Sequence, residues 1–202
     1  MQGVRRRFFG LFGLAPVLLA APASANTRES VPMRAPHEAL ELTISAGYAP
    51  AAIHEPLSGG AGGGIGSEVG LAVRSSRWSV GLVGQYAELG HARGEPVFTA
   101  SGAASATYHA RPGARIEPWL SAGSGYRYLR TAGESAHAHG WEIARLAAGA
   151  DLLASPVLAA GPFASAGLDL FPSSTNGDAS LSVIAFIGIR GRFDLSPAIV
   201  GD

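Results

Sequence analysis

Leu181-Ser182-Val183-Ile184-Ala185-Phe186-Ile187-Gly188-Ile189-Arg190-Gly191-Arg192-Phe193 alternates more cleanly than any other segment of the chain. In an extended chain it sets Leu181, Val183, Ala185, Ile187, Ile189 and Phe193 on one side. Ser182, Ile184, Phe186, Gly188, Arg190 and Arg192 fall on the other. Successive side chains of a strand point to opposite faces, so period-two alternation predicts a strand with one apolar face. The same pattern recurs at Leu40 to Tyr48, Glu68 to Arg74, Trp78 to Ala87 and Phe98 to Tyr108. It continues at Trp119 to Tyr128, Ala144 to Leu152 and Leu158 to Leu170. Tight turns at Ser75-Ser76-Arg77, Pro112-Gly113 and Ser155-Pro156 alternate with longer loops. Those loops run over Ala49 to Gly66, Glu88 to Pro96, Arg130 to Gly140 and Pro172 to Asp178.

Alternately short and long connections put every tight turn at one end of an up-and-down barrel. The expected fold is all-β: an eight-stranded antiparallel transmembrane β-barrel over residues 39–194, with short periplasmic turns and long extracellular loops. A soluble, lipocalin-like periplasmic barrel that binds a ligand would instead turn the apolar faces inward. The polar faces favour the membrane form. A wall in water calls for Lys, Glu, Gln and Thr, whereas these faces are mostly Gly, Ala and Ser with sparse charges. Glu41, Glu68, Asp151 and Asp169 share them with Arg74, Arg127, Arg145, Arg190 and Arg192. A nearly balanced set is what a closed lumen requires, because an isolated buried charge is very costly. Pro162 and the Ala-rich fourth strand are the weak points of the pattern, and Ala144 to Ala154 has helical propensity.

Aromatic residues mark the ends of the apolar faces. Tyr48, Tyr86, Phe98, Tyr126 and Tyr128 fall at the loop ends, and Trp78, Tyr108 and Phe193 at the turn ends. Aromatics favour strands in general, but that preference leaves unexplained why Leu, Val, Ile and Ala hold the middles. Two such belts are expected at the membrane interfaces.

Residues 1–25 read as a signal peptide: Arg5-Arg6-Arg7, an apolar run from Phe8 to Pro22, then Ala23-Ser24-Ala25 as the cleavage site. The run is short for a membrane helix and Pro16 interrupts it. Arg6-Arg7-Phe8-Phe9 brushes against a twin-arginine signal. A barrel precursor crosses the inner membrane unfolded, so the ordinary basic start is favoured. Residues 26–38, with Pro32 and Pro36, form a periplasmic lead-in, and 195–202 a C-terminal tail. Without Arg5–Arg7 the chain carries 12 Arg against 15 acids, a formal charge of −3 and no footprint for nucleic acid. The absence of Cys excludes disulfides and thiol chemistry.

Over residues 39–194 the chain resembles the OmpA-like family of small outer-membrane barrels. The segments that carry the likeness are Pro118-Trp119-Leu120-Ser121-Ala122-Gly123-Ser124-Gly125-Tyr126 and Gly188-Ile189-Arg190-Gly191-Arg192-Phe193. The resemblance implies residence in the outer membrane of a Gram-negative bacterium. It also implies outer-membrane lipid, periplasmic chaperones and the barrel-assembly machinery as partners. Family members often end on the aromatic that this machinery reads, whereas here residues 194–202 follow Phe193.

The search for chemistry returns little. His137-Ala138-His139 with Glu134 has the donor types of a zinc site but falls in an expected outer loop. His109 reads as an interfacial residue, and His54 and His91 lie in loops without partners at a telling spacing. Gly59 to Gly66 matches neither phosphate-binding pattern and precedes a strand, so it reads as a loop tip. The lipid A deacylases that this fold resembles carry a His-x-Ser pair, and no histidine here gives one. The expectation is a non-enzymatic barrel with a closed, charge-paired lumen and no cofactor or metal, acting through its outer loops on a partner the sequence leaves unnamed. A narrow conduit for ions or small solutes is the alternative. A lipid-modifying enzyme, its nucleophile and base brought together from distant strands, is a further one.

Overall fold

The computed structural model describes residues 39–53, 61–91, 95–132, 137–155, 157–172 and 179–195. The signal peptide, the lead-in, His54, Glu134 and residues 196–202 lie outside them. The strands are β1 (Ala39–Ala49), β2 (Ala51–Ile53), β3 (Ala61–Ser75), β4 (Trp78–His91) and β5 (Val97–His109). They continue as β6 (Ile116–Thr131), β7 (His137–Ser155), β8 (Leu158–Pro172) and β9 (Ala179–Asp194).

All neighbours are antiparallel, and β1 pairs with β9 to close the sheet on itself. The short β2 is β1 continued past Pro50. Tyr48↔Ile187 and Ala51↔Ile184 keep one register, and the Pro50 carbonyl between them accepts from Ala185 N–H at 2.9 Å. Counting β1 and β2 as one stave gives an eight-stranded barrel without an open edge, the form in which strands can cross lipid. Both ends of the described chain sit with the turns at 76–77, 110–115 and beside 157, where Gly113 takes a left-handed φ of 76°.

The barrel is inside-out relative to a soluble protein. Leu82 and Ile189 point outward with 69% and 67% exposure, while Arg127, Glu142, Asp151 and Asp169 are fully buried. A lipocalin-like arrangement with the apolar residues inside is thereby excluded.

The expected loop bounds change, while the strand expected at Ala144 to Leu152 stands. Much of what reads as loop is strand: β3 begins at Ala61, β4 continues to His91, and β6 and β7 between them absorb Arg130–Thr131 and His137–Gly140. Antiparallel pairing carries these polar and Gly-rich segments past the apolar band, leaving connections at 54–60, 92–96, 132–136 and 173–178. The Ala144–Ala154 stretch is strand, because ladder bonds to β6 and β8 override its local helical propensity. His137 and His139 lie on β7 rather than in a loop.

Candidate functional site: the charged lumen

The inward side of β6 crosses the whole lumen. From the turn end it presents Glu117 and Trp119, then the small residues Ser121, Gly123 and Gly125, then Arg127 and Leu129. Two charge clusters, an intervening cavity and an apolar layer lie at those heights.

The turn-end cluster centres on Glu117. Its Oε1 receives Arg74 Nη2 at 2.8 Å and Arg192 Nη1 at 2.8 Å, and lies 2.6 Å from His109 Nδ1. Its Oε2 accepts from Gly113 N–H at 3.2 Å. Arg74 also meets Glu41 at 3.0 Å. Asp151 accepts from Arg190 at 2.8 Å, from Arg192 at 3.1 Å and from Trp119 Nε1 at 3.1 Å. The Arg190 guanidinium stacks 3.6 Å over the Trp119 ring.

The second cluster centres on Arg127, which has no exposure at all. It donates to Asp169 on β8 at 2.8 Å, Glu142 on β7 at 2.9 Å, Gln85 on β4 at 3.1 Å and Thr99 on β5 at 3.2 Å. Arg145 on β7 reaches across the barrel to pair with Glu68 on β3, and also touches Glu142 at 3.3 Å. Gln85 and Ser165 donate to the same Glu68 oxygen at 2.9 and 3.4 Å. Contacts between facing staves occupy the lumen in a way that pairs between neighbours cannot.

Between the clusters lies a cavity of about 70 Å³, room for several waters, lined in part by Thr43, Ser45, Ser105, Thr107 and Ser121. Toward the loop end Ala49, Leu89, Val97, Leu129, Phe171 and Ile184 pack together inside the barrel, most with no exposure.

All nine charged residues read from the sequence as lumenal lie in these clusters. Sequence reading missed Glu117 and Glu142, and placed His109 wrongly. His109 is not interfacial but 1% exposed inside the barrel. Alternation from the outward Tyr108 was the available signal, and Glu117 stands two positions before the inward Trp119. With these acids the lumen holds Glu41, Glu68, Glu117, Glu142, Asp151 and Asp169 against Arg74, Arg127, Arg145, Arg190 and Arg192. Glu142 Oε2 and Asp169 Oδ2 are buried without a hydrogen-bond partner among the described residues.

His109 Nε2 lies 3.0 Å from Ser79 Oγ, so Ser79, His109 and Glu117 form a chain that superficially matches a hydrolase triad. The hydroxyl of Ser79, however, donates to Glu41 Oε2 at 3.0 Å. Its proton is therefore directed away from the base that would need to take it.

The aromatics face outward: Tyr48, Trp78, Tyr86, Tyr126, Tyr128 and Phe193 are between 36% and 56% exposed, and Phe98 and Tyr108 are half-buried beside them. Trp78 packs against Tyr108 at 5.1 Å and Tyr86 against Phe98 at 6.4 Å. Trp141, 63% exposed, belongs with them and escaped the sequence reading. No group of metal-binding side chains occurs among the described residues, and His139 instead bonds Tyr126 OH at 2.5 Å.

No family model matches the sequence, and no curated protein does. Among solved structures, Neisserial surface protein A superposes with a TM-score of 0.61 over 77% of this chain and 97% of its own, at 13% identity. The fold is that of the small outer-membrane β-barrels. Outer membrane protein OprG from Pseudomonas aeruginosa aligns over 79% of this barrel and 98% of its own chain, at 12% identity and a TM-score of 0.46. Ail from Yersinia pestis aligns over 77% and 99%, at 16% identity and a TM-score of 0.44. Together the fold and the exposed apolar wall are those of a barrel that crosses a membrane with its strands.

Proposed function

We propose that this barrel is a non-enzymatic outer-membrane protein with a sealed lumen, acting through its outer wall and loop end. One observation carries the reading: the fully buried Arg127 guanidinium ties β6 to β4, β5, β7 and β8 directly beneath an apolar layer. An ion entering from the loop end would meet hydrocarbon first and then charges already paired across the lumen, both costly to displace. The turn-end cluster closes the other side. The commitment of the Ser79 proton to Glu41 supports the absence of hydrolysis. Lipid, periplasmic chaperones and the assembly machinery are the partners such a barrel needs, with Phe193, outward at the last strand's end, as the insertion signal.

Planar-bilayer recording tests the seal. The wild-type barrel gives no steady openings, whereas Arg127→Ala gives flickering conductance. Steady wild-type openings favour the conduit, for which the hydroxyl-lined cavity would be the waist, and sink the sealed-lumen reading. A fluorophosphonate probe tests the chemistry: labelling of Ser79 in the folded barrel overturns the non-enzymatic assignment.

A further inference from the structure

Outward on β6 and β7, three successive cross-strand pairs climb toward the loop end: Tyr126↔Trp141, Tyr128↔His139 and Arg130↔His137. All of these side chains are exposed. The rings interlock, with Tyr126 and Trp141 edge-on at 5.6 Å, Tyr126 and His139 stacked at 5.9 Å, and Tyr128 and His137 stacked at 6.2 Å. The wall thus grades from aromatic through imidazole to guanidinium over a short rise. Leu120 pairs with Tyr108 at the opposite belt. At about 3.4 Å per residue and a tilt of about 45°, the climb from Leu120 to Arg130 is about 24 Å, close to the height of the apolar band. Arg130 and the two imidazoles therefore arrive where the hydrocarbon ends and headgroups begin.

The strands on either side of this rim face it with apolar residues. Across from Arg130 on β5 stands Phe98, and on β8 the outward neighbours of Trp141 and Ala144 are Leu170 and Leu168. Among the described residues, the carboxylates on this side are Glu88, one strand beyond Phe98 and so about 10 Å from Arg130, and the exposed Glu95 on the β4–β5 connection, while Glu134 lies outside them.

We propose that Arg130, His137 and His139 hold the phosphate of a lipid headgroup in the leaflet at the loop end, with its acyl chains against Tyr126 and Trp141. The planar guanidinium of Arg130 matches two phosphate oxygens at once. The Tyr126 hydroxyl bonds His139 Nδ1, so Nε2 is the ring nitrogen that meets a third oxygen, as a donor whenever it carries a proton. Charge alone would attract any anion. The aromatic floor beneath it selects one that carries hydrocarbon. The inference rests on the membrane-barrel reading.

The test uses the full chain folded in a non-ionic detergent, titrated with phosphatidic acid and read by native mass spectrometry. Heat-modifiable gel mobility reports the fold of each variant. Wild type retains one phosphatidic acid, and Arg130→Gln weakens retention about fivefold. Adding His137→Gln and His139→Gln abolishes it. Arg77→Gln, which removes an exposed arginine at the turn end, leaves it unchanged. Equal retention by a correctly folded triple variant, or equal retention of diacylglycerol in place of phosphatidic acid, overturns the site. A wild-type chain without heat-modifiable mobility overturns the membrane-barrel reading, and this inference with it.

Discussion

Glu142 and Arg145 stand three positions apart on β7, yet both point into the lumen and touch at 3.3 Å. In an unbroken strand such residues face opposite sides. The β6–β7 register shifts between Gly123 and Gly125, and the β7–β8 register between Glu142 and Ala144. One extra residue is therefore accommodated at Ile143–Ala144, both directed outward. This β-bulge brings a third carboxylate to the Arg127 cluster.

Deleting Ile143 and Ala144 together makes Glu142 and Arg145 neighbours, so strict alternation turns one of the two charges toward lipid. The expected outcome is a loss of about 2 kcal/mol or more, seen as a lower urea midpoint in vesicles or loss of the folded gel band. Deleting Ile143 alone leaves the pair two positions apart, both still inward, and retains the fold. A double-deletion variant as stable as wild type would show that the residue count between them does not set their facing.

Arg127→Leu strands Glu142 and Asp169 in the barrel without their shared cation. Breaking one side of a buried pair costs about 3–5 kcal/mol, measurable by tryptophan fluorescence during urea unfolding. Arg127→Lys recovers only part of this, since an ammonium lacks the planar fork that reaches strands on both sides.

Glu142→Gln behaves oppositely. The cluster sets Glu68, Glu142 and Asp169 against Arg127 and Arg145, so removing one negative charge relieves repulsion while an amide oxygen still accepts from both arginines. Stability should stay within about 1 kcal/mol of wild type or rise. A loss as large as that of Arg127→Leu would mean that the Glu142 charge itself holds the barrel.

Pro162 offers a gain. The β7–β8 register passes from Gly149↔Phe163 to Leu152↔Ala160 with the proline between. Leu153 N–H is directed toward β6, donating to the Arg115 carbonyl at 3.0 Å, so by alternation Ala150 faces β8 opposite Pro162. Pro162→Ala supplies the missing N–H to the Ala150 carbonyl and should stabilise the barrel by about 1 kcal/mol. Slower exchange of amides near Ala150, together with a higher urea midpoint, would verify it. No change in either would show that the carbonyl is already satisfied.

The barrel, the sidedness of its strands and most of its lumenal charges are legible in the residues alone. Alternation is a local property: with one face in lipid, each strand must declare its sides in its own residues, as Leu181 to Phe193 does. Strand ends were less legible, because pairing extends a strand wherever a neighbour offers free backbone groups, as it does for Ala61 and His137. Only the tertiary structure decided which charges meet. Glu68 and Arg145 are far apart in sequence and face each other only once the barrel closes. The bulge at Ile143 left a trace, two lipophilic residues between a glutamate and an arginine. Its meaning depends on a lumen in which both charges find partners. The apolar layer of Leu89, Leu129, Phe171 and Ile184 was equally hidden. Each contributes one residue that looks incidental on its own strand, and they become a seal only when curvature brings them together.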